Sequence, residues 1–514
     1  MNAIVIGARI LDVLTTGMYP DALDALREYV QNSYDAIRRA EQAGVYKPNF
    51  GEVTVIIDPD KRELIIRDNG VGVAAAEAKA TLLSIGASKK RVGVDAGFRG
   101  IGRLAGLAYC DALVFTTAYK DEPHQTELTF DAVAIRKSIS PTAAAETETA
   151  ADLLARLTKH ELVDRKPGEP FFEVKMIGVD PKACQFMNVE EVKAYLRQVA
   201  PIEFNMQAFT YGNSKINPFL EIHNSHRKIN LTVAANNRVE AIYKPYKTYH
   251  DAGNKTERRV DIVDIEMTSD PNVPPRWIAW LSKARDLKGA INTDEVRGIR
   301  FRSNNIEIGD SKTFSRIFEK VQKSYSRFNS WYSGEVHILD SGIIPNSRRD
   351  FFEDNEAWRA AEATLIDWAR PLVTRIYQNS SERNRDVGLL EADVDQVIDE
   401  VGRQAERGFA SDDIRQKAIA RIQEQEDRLG KGMTSDRTPE ELEALQRKKE
   451  EAAAARAKMA AKPRSLIDES SLSRDERKIL RLVMDVVANV CGDDLATKTA
   501  QVVDKRLKAK RKKD

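Results

Sequence analysis

The chain has 514 residues, 42% hydrophobic and 31% charged, a globular composition too long for one core and sized for two to four domains. Its 80 Lys and Arg nearly cancel 79 Asp and Glu, so no global field points to nucleic acid or a membrane, and any such binding needs a local patch. Cys110, Cys184 and Cys491 are odd in number and far apart, which argues for a reducing compartment and against a disulfide framework or a zinc site. The start MNAIVIGARILDVL lacks a basic leader region, and no apolar run reaches the roughly eighteen residues of a membrane span. The expectation is a soluble, cytoplasmic protein that engages no membrane.

The first long helix is predicted over 21–40. Asp21 suits its N-cap and Asp24 its first turn. Leu23, Leu26, Val30, Tyr34 and Ile37 recur at helical spacing and predict its buried stripe. Glu28, Asn32 and Asp35 follow at i, i+4 and i+7, which places them within an arc of roughly 60°. Read alone, this face suits a solvated helix; yet Asn is a poor helix former to set between two acids. Strands over 52–58 and 63–68 around Pro59-Asp60-Lys61-Arg62 read as a β-hairpin. The second runs out into Asp68-Asn69-Gly70-Val71-Gly72, where the glycines permit a sharp turn and the close approach of another group. A solvated turn and a pocket rim both fit that sequence.

Residues 74–83 are Ala-rich and read as helix. Gly97-Phe98-Arg99-Gly100-Ile101-Gly102 then leads into a helical 103–109. Glycines opening onto a helix N-terminus offer free N–H groups that suit phosphate. No Gly-Lys-Ser/Thr follows and no clean strand precedes, so the segment is neither a Walker loop nor a Rossmann turn. A strand is predicted over 170–176, and a helix capped by Asn188 that ends at Pro201, where the first domain boundary is placed. Beyond it come a hairpin over 229–243, strands over 260–267, 298–302, 306–308 and 334–340, an apolar 277–281, and a helix over 313–325. Ile344-Pro345-Asn346-Ser347-Arg348-Arg349-Asp350-Phe351-Phe352 precedes the next helix. From 378 the chain reads as helix, including a charged 438–462 opened by a Thr438-Pro439-Glu440-Glu441 capping box, whose thin seam fits a short coiled coil and a solvated strut equally. Residues 472–507 predict a small helical domain around Ile479, Leu480, Leu482, Val483, Val486 and Val490. In 505–514 seven residues are basic: a tail of the kind usually disordered and solvated, and able to hold acidic partners or nucleic-acid phosphates.

Glu-x-x-x-Asn-x-x-Asp-Ala on a helix, Asp-x-Gly-x-Gly after a strand and Gly-x-x-Gly-x-Gly into a helix, in that order, resemble the GHKL ATPase superfamily of gyrase-type topoisomerases, MutL, sensor histidine kinases, MORC proteins and the ninety-kilodalton heat-shock chaperones. The resemblance covers residues 10–200. It implies an α/β fold with an N-terminal Bergerat α/β sandwich (1–200), an α/β transducer-type middle domain (201–380) and a mostly helical C-terminal region (381–514). It implies ATP and Mg²⁺. By position, Glu28 is the general base, Asn32 the Mg²⁺ ligand, Asp68 the adenine reader, Gly70 and Gly72 its turn, and Gly97, Gly100 and Gly102 the hinge of a phosphate lid. Asp35 supports these groups from behind. The Thr that the family often carries on a later strand is missing from 170–176. The 344–352 loop resembles the chaperones' catalytic-arginine loop, with Arg349 the closer match and Arg348 its neighbour; it also reads as a helix start with surface arginines. The implied activity is an ATP-hydrolysing homodimeric clamp acting on a protein client. A MORC-like or topoisomerase-like DNA machine, with genome defence as one role, and an ATP-sensing scaffold without turnover are the alternatives.

Overall fold

The computed structural model describes residues 7–19, 21–86, 95–97, 100–140, 148–252, 259–285, 289–383, 387–433, 437, 439–461 and 465–512. The chain divides into two compact units, Met1–Val373 and Thr374–Asp514. Phe98 and Arg99 of the glycine segment, and Thr438 of the expected capping box, lie outside the described residues.

The first unit is built around helix α1, Ala22–Gln42. The Asp21 carboxylate caps it by accepting from the Leu23 N–H at 2.9 Å, the predicted start. The expected apolar stripe is buried. So are Arg27, Glu28, Gln31, Ser33 and Asp35 on the rest of the circumference, which excludes the solvated-face reading.

Strands β1 (Glu52–Asp58) and β2 (Glu63–Asp68) form the predicted hairpin, pairing Val53 with Asp68 and Asp58 with Glu63. Their alternation sends Val53, Val55, Ile57, Leu64 and Ile66 into the core shared with α1. Helix α2 (Ala75–Leu83) follows, and then β3 (Ala112–Ala118), β4 (His124–Asp131) and β5 (Thr158–Asp164), three strands that no sequence motif marked. Strand β6 (Phe171–Ile177) and helix α3 (Val189–Val199) fall where expected, and the Asn188 side chain caps α3. The hairpin beyond Pro201 forms as β7 (Asn230–Ala235) and β8 (Arg238–Ala241), turning at Asn236 and Asn237 with φ of 49° and 57°. It joins the first sheet, however, because β7 pairs in parallel with β1. The order is β5-β4-β3-β6-β2-β1-β7-β8, so the sheet runs past the boundary placed at Pro201.

The second sheet comprises β9 (Tyr249–Asp251), β10 (Arg259–Ser269), β11 (Trp277–Ala284), β12 (Gly298–Ser303), β13 (Ile306–Ile308) and β14 (Ser333–Ile338), in the order β13-β12-β14-β11-β10-β9. The helix expected over 313–325 is shorter, Ser315–Val321, and is followed by 3₁₀ turns over Lys323–Trp331. The interior of this sheet holds charge. The wholly buried Glu335 carboxylate accepts from Lys244, Tyr246, Trp280, Arg302 and His337. These donors hold it well below the usual carboxylate range, while burial pushes Lys244 down to about 7. Arg302 also donates to the carbonyls of Gln198 at 2.7 Å and Asn305 at 3.1 Å, tying the end of α3 to the second sheet.

In the second unit, helices α4 (Val387–Arg407), α5 (Asp412–Gly432), α6 (Pro439–Ala460), α7 (Arg474–Cys491) and α8 (Asp493–Arg511) share one core. The α6 seam is thin, as expected: Leu445, Ala452 and Met459 are its buried residues, seven apart. Two expectations are corrected. The predicted α7 core holds only at Leu480, which packs against the shared core beside the inward-facing Met484 and Ala488, while Ile479, Leu482, Val483, Val486 and Val490 are exposed by 49–78%. Both sides of α7 are apolar, so periodicity alone could not choose between them. The basic tail, expected to be disordered, forms the last turns of α8 through Arg511.

Candidate nucleotide site

The end of β2 is pinned from several sides. Asp68 is buried, and its Oδ1 accepts from the Gly70 N–H at 2.9 Å while Ser33 of α1 also donates to the carboxylate. A β-carbon on Gly70 would lie 2.5 Å from that of Ala36. One on Gly72, at φ 64°, would lie 2.0 Å from the Ala118 carbonyl oxygen. Neither glycine tolerates a side chain, which is why the turn can lie flat between α1 and the sheet. Opposite Asp68 on β6 stands Phe172, so the Thr missing from the sequence is missing in space. Thr117 on β3 takes part instead, accepting from the Val73 N–H and donating to the Phe171 carbonyl, both at 2.9 Å. Ser33 and Thr117 were not anticipated; their only signal is tertiary.

Burial raises the Asp68 carboxyl to about 6, against the lowering pull of Ser33, the Gly70 N–H, Arg39 and Arg67. It is thus ionised near neutral pH but poorly solvated.

The second half of the site forms on the same helix. Both Asp35 carboxylate oxygens accept backbone N–H groups, from Ala96 at 2.8 Å and Gly97 at 3.0 Å. Gly102 opens a 3₁₀ turn, Gly102–Ala108, where an α-helical 103–109 was expected. A β-carbon on Gly102 would lie 2.0 Å from Glu28 Oε2, so this glycine makes room for that carboxylate. Gly100 has φ 72°, and its carbonyl accepts from Arg103 at 3.1 Å. Asn32 is half-buried on the same face as Glu28.

The 344–352 loop reaches this point from the second sheet. Pro345 bridges to Phe352, and the Phe352 ring stacks on Trp358 at 4.7 Å, which fixes the base of the loop. Arg349 at its tip has φ 56°, uncommon for a residue with a side chain. Its Nε lies 3.3 Å from Glu28 Oε1, and its Nη2 donates to the Ala96 carbonyl. Burial lowers its pKa, opposed mainly by Glu28. The Arg348 guanidinium turns outward to Asp350 at 3.6 Å, while its carbonyl accepts from Arg27 at 3.0 Å. Of the two arginines, the fold brings only the Arg349 side chain to Glu28.

The site thus brings together a buried carboxylate at a strand end, glycines shaped around it and a second carboxylate facing an arginine. Residues 21–161 match the family described as "Histidine kinase-, DNA gyrase B-, and HSP90-like ATPase". The match supports the GHKL superfamily for this part of the chain and points to ATP binding. No curated protein matches the chain. Among the described residues no helix is long and apolar enough to cross a membrane.

If Asp68 reads the adenine amine, Asp68→Asn sets a donor against a donor and lowers ADP affinity about 10²-fold or more. The acceptor form exists above its pKa of about 6 and is lost below it, so wild-type affinity falls as pH drops from about 7 to about 5. Isothermal titration showing neither effect removes Asp68 from the pocket.

Proposed function

We propose that this protein is a Mg²⁺-dependent ATPase that works as a dimeric clamp, most like the heat-shock protein 90 and MORC branch of its superfamily. The observation that carries this reading is the approach of Arg349 to Glu28, which joins the second sheet to the candidate base on α1. Glu28 takes a proton from the attacking water, and Asp68 holds the adenine amine. Asn32 offers an amide oxygen to Mg²⁺, which when bound neutralises phosphate charge. Asp35 holds the Ala96–Gly97 backbone in place for the phosphates. Arg349 Nε stands 3.3 Å from Glu28 Oε1, so this contact must open before the carboxylate can reach the attacking water, and the terminal phosphate of ATP is the anion that can draw Arg349 away. Water then adds to the γ-phosphorus, ADP leaves, and phosphate is released.

Glu28→Ala is expected to bind ATP and hydrolyse it about 10²–10⁴-fold more slowly. A phosphate-release assay showing wild-type turnover removes Glu28 from that role.

The exposed α7 stripe supports a homodimer. Residues 479, 483, 486 and 490 follow the alternating four–three spacing of a helix-pairing seam. Sedimentation of Val486→Glu is expected to show a monomer where the wild type is a dimer. A wild type that sediments as a monomer sinks this part of the reading.

The DNA-engaging alternative draws on the last turns of α8, where Lys505, Arg506, Lys508 and Lys510 are exposed. If it holds, duplex binding weakens with salt at a log–log slope of about −0.9 per phosphate neutralised, and removal of 505–514 flattens that slope while sparing ATPase. A protein clamp gives little duplex binding at about 150 mM salt, with or without the tail.

A further inference from the structure

Gln31 is 0% exposed, and among the described residues neither its Oε1 nor its Nε2 has a hydrogen-bond partner. Such a group costs stability, and an apolar side chain of the same length would fill the space at no such cost. The apolar stripe of α1 shows that the helix has no shortage of such residues elsewhere. In this arrangement the amide makes no hydrogen bond with the described residues.

Its place on the helix indicates what it is kept for. Arg27, Gln31 and Asp35 stand at i, i+4 and i+8, a single row along α1. Both ends of the row hold moving parts of the proposed machine. Arg27 Nη2 donates to the Arg348 carbonyl at 3.0 Å, and Asp35 accepts from Ala96 and Gly97. Those two segments meet where Arg349 Nη2 donates to the Ala96 carbonyl. Gln31 lies on the rung between them. Arg27 Nε, one turn away, is also buried without a partner. Two consecutive rungs beside the arginine loop thus carry unused hydrogen-bonding capacity. The loop tip is itself held in an uncommon conformation, with Arg349 at φ 56°.

We propose that Gln31 is a positioning residue for Arg349: its carboxamide is a second seat for the backbone of the 344–352 loop, taken when the guanidinium leaves Glu28 for the terminal phosphate. The proposal rests on the ATPase reading above. In the seated state the amide N–H donates to a loop carbonyl as the tip shifts along the row, and the amide oxygen accepts a loop N–H. The cost borne in the arrangement with Arg349 on Glu28 is recovered in the one with Arg349 on phosphate, so the amide favours the catalytic position.

The test is Gln31→Met, alone and combined with Arg349→Ala. The nucleotide-free single variant should melt at or above the wild-type temperature, because an idle buried amide has been removed. Its ADP affinity should stay within about twofold, because the adenine end is untouched, and its kcat should fall about 10-fold or more. In the Arg349→Ala background the same change should cost nothing further, because the residue acts through Arg349. A kcat within about twofold of wild type overturns the proposal. So does a melting temperature that falls together with kcat, or an equal loss in both backgrounds, since either marks a packing role. Full turnover in Glu28→Ala would instead overturn the ATPase reading, whereas full turnover in Gln31→Met beside an inactive Glu28→Ala removes only the second seat.

Discussion

Much of the first unit can be understood from the burial of charge on helix α1. Glu28 and Arg349 are each under a tenth exposed, and they meet at 3.3 Å. Neither is easily buried alone, because an unpaired charge in a protein interior costs several kcal/mol, on the order of 3–5 when a partner is removed. Glu28 therefore needs the 344–352 loop against α1, and Arg349 needs α1 beneath the loop. Arg27 repeats the arrangement one turn earlier, pairing with Asp24 at 3.1 Å and with the Arg348 carbonyl. A helix with this much polar surface is stable in the core only because a second element supplies its partners.

That second element has to be held firmly, which accounts for the buried network of the other sheet. Glu335 gathers donors from Lys244, Tyr246, Trp280, Arg302 and His337, and Arg302 passes the constraint on to the end of α3. Helix α3 in turn reaches α1 through the Tyr195 hydroxyl, which donates to Asp24 at 3.3 Å. The loop and the helix it meets are thus linked twice, once directly and once through α3. Such networks favour one arrangement over near alternatives, because any shift that removes a partner leaves buried charge uncompensated.

The second unit is stabilised differently. Its helices bury small and aliphatic residues at wide spacing, such as Leu445, Ala452 and Met459, and supplement them with ion pairs such as Arg456 with Glu426 at 2.6 Å. One stripe of large apolar residues on α7 stays outside that core.

The sequence by itself determined the local elements and the chemistry of the motifs. The Asp21 cap, the 52–68 hairpin, the glycine turn after Asp68 and the Asn188 cap are all set by residues within a few positions of one another, and local backbone preference decides them. Helical spacing put Glu28, Asn32 and Asp35 on one face and the strand end marked Asp68, and the resemblance to the GHKL superfamily joined them into one expected set. Tertiary structure decided the rest. Strand β7 belongs to the first sheet because β1 offers it a parallel edge, a pairing across nearly 180 residues that no local pattern encodes. Thr117 and Ser33 enter the site because strands and helix bring them there. Arg349 rather than Arg348 meets Glu28 because the left-handed turn at Arg349 sends consecutive side chains to opposite sides. The α7 stripe lies outside because both faces of that helix are apolar, and a periodic pattern names a face without saying what will cover it.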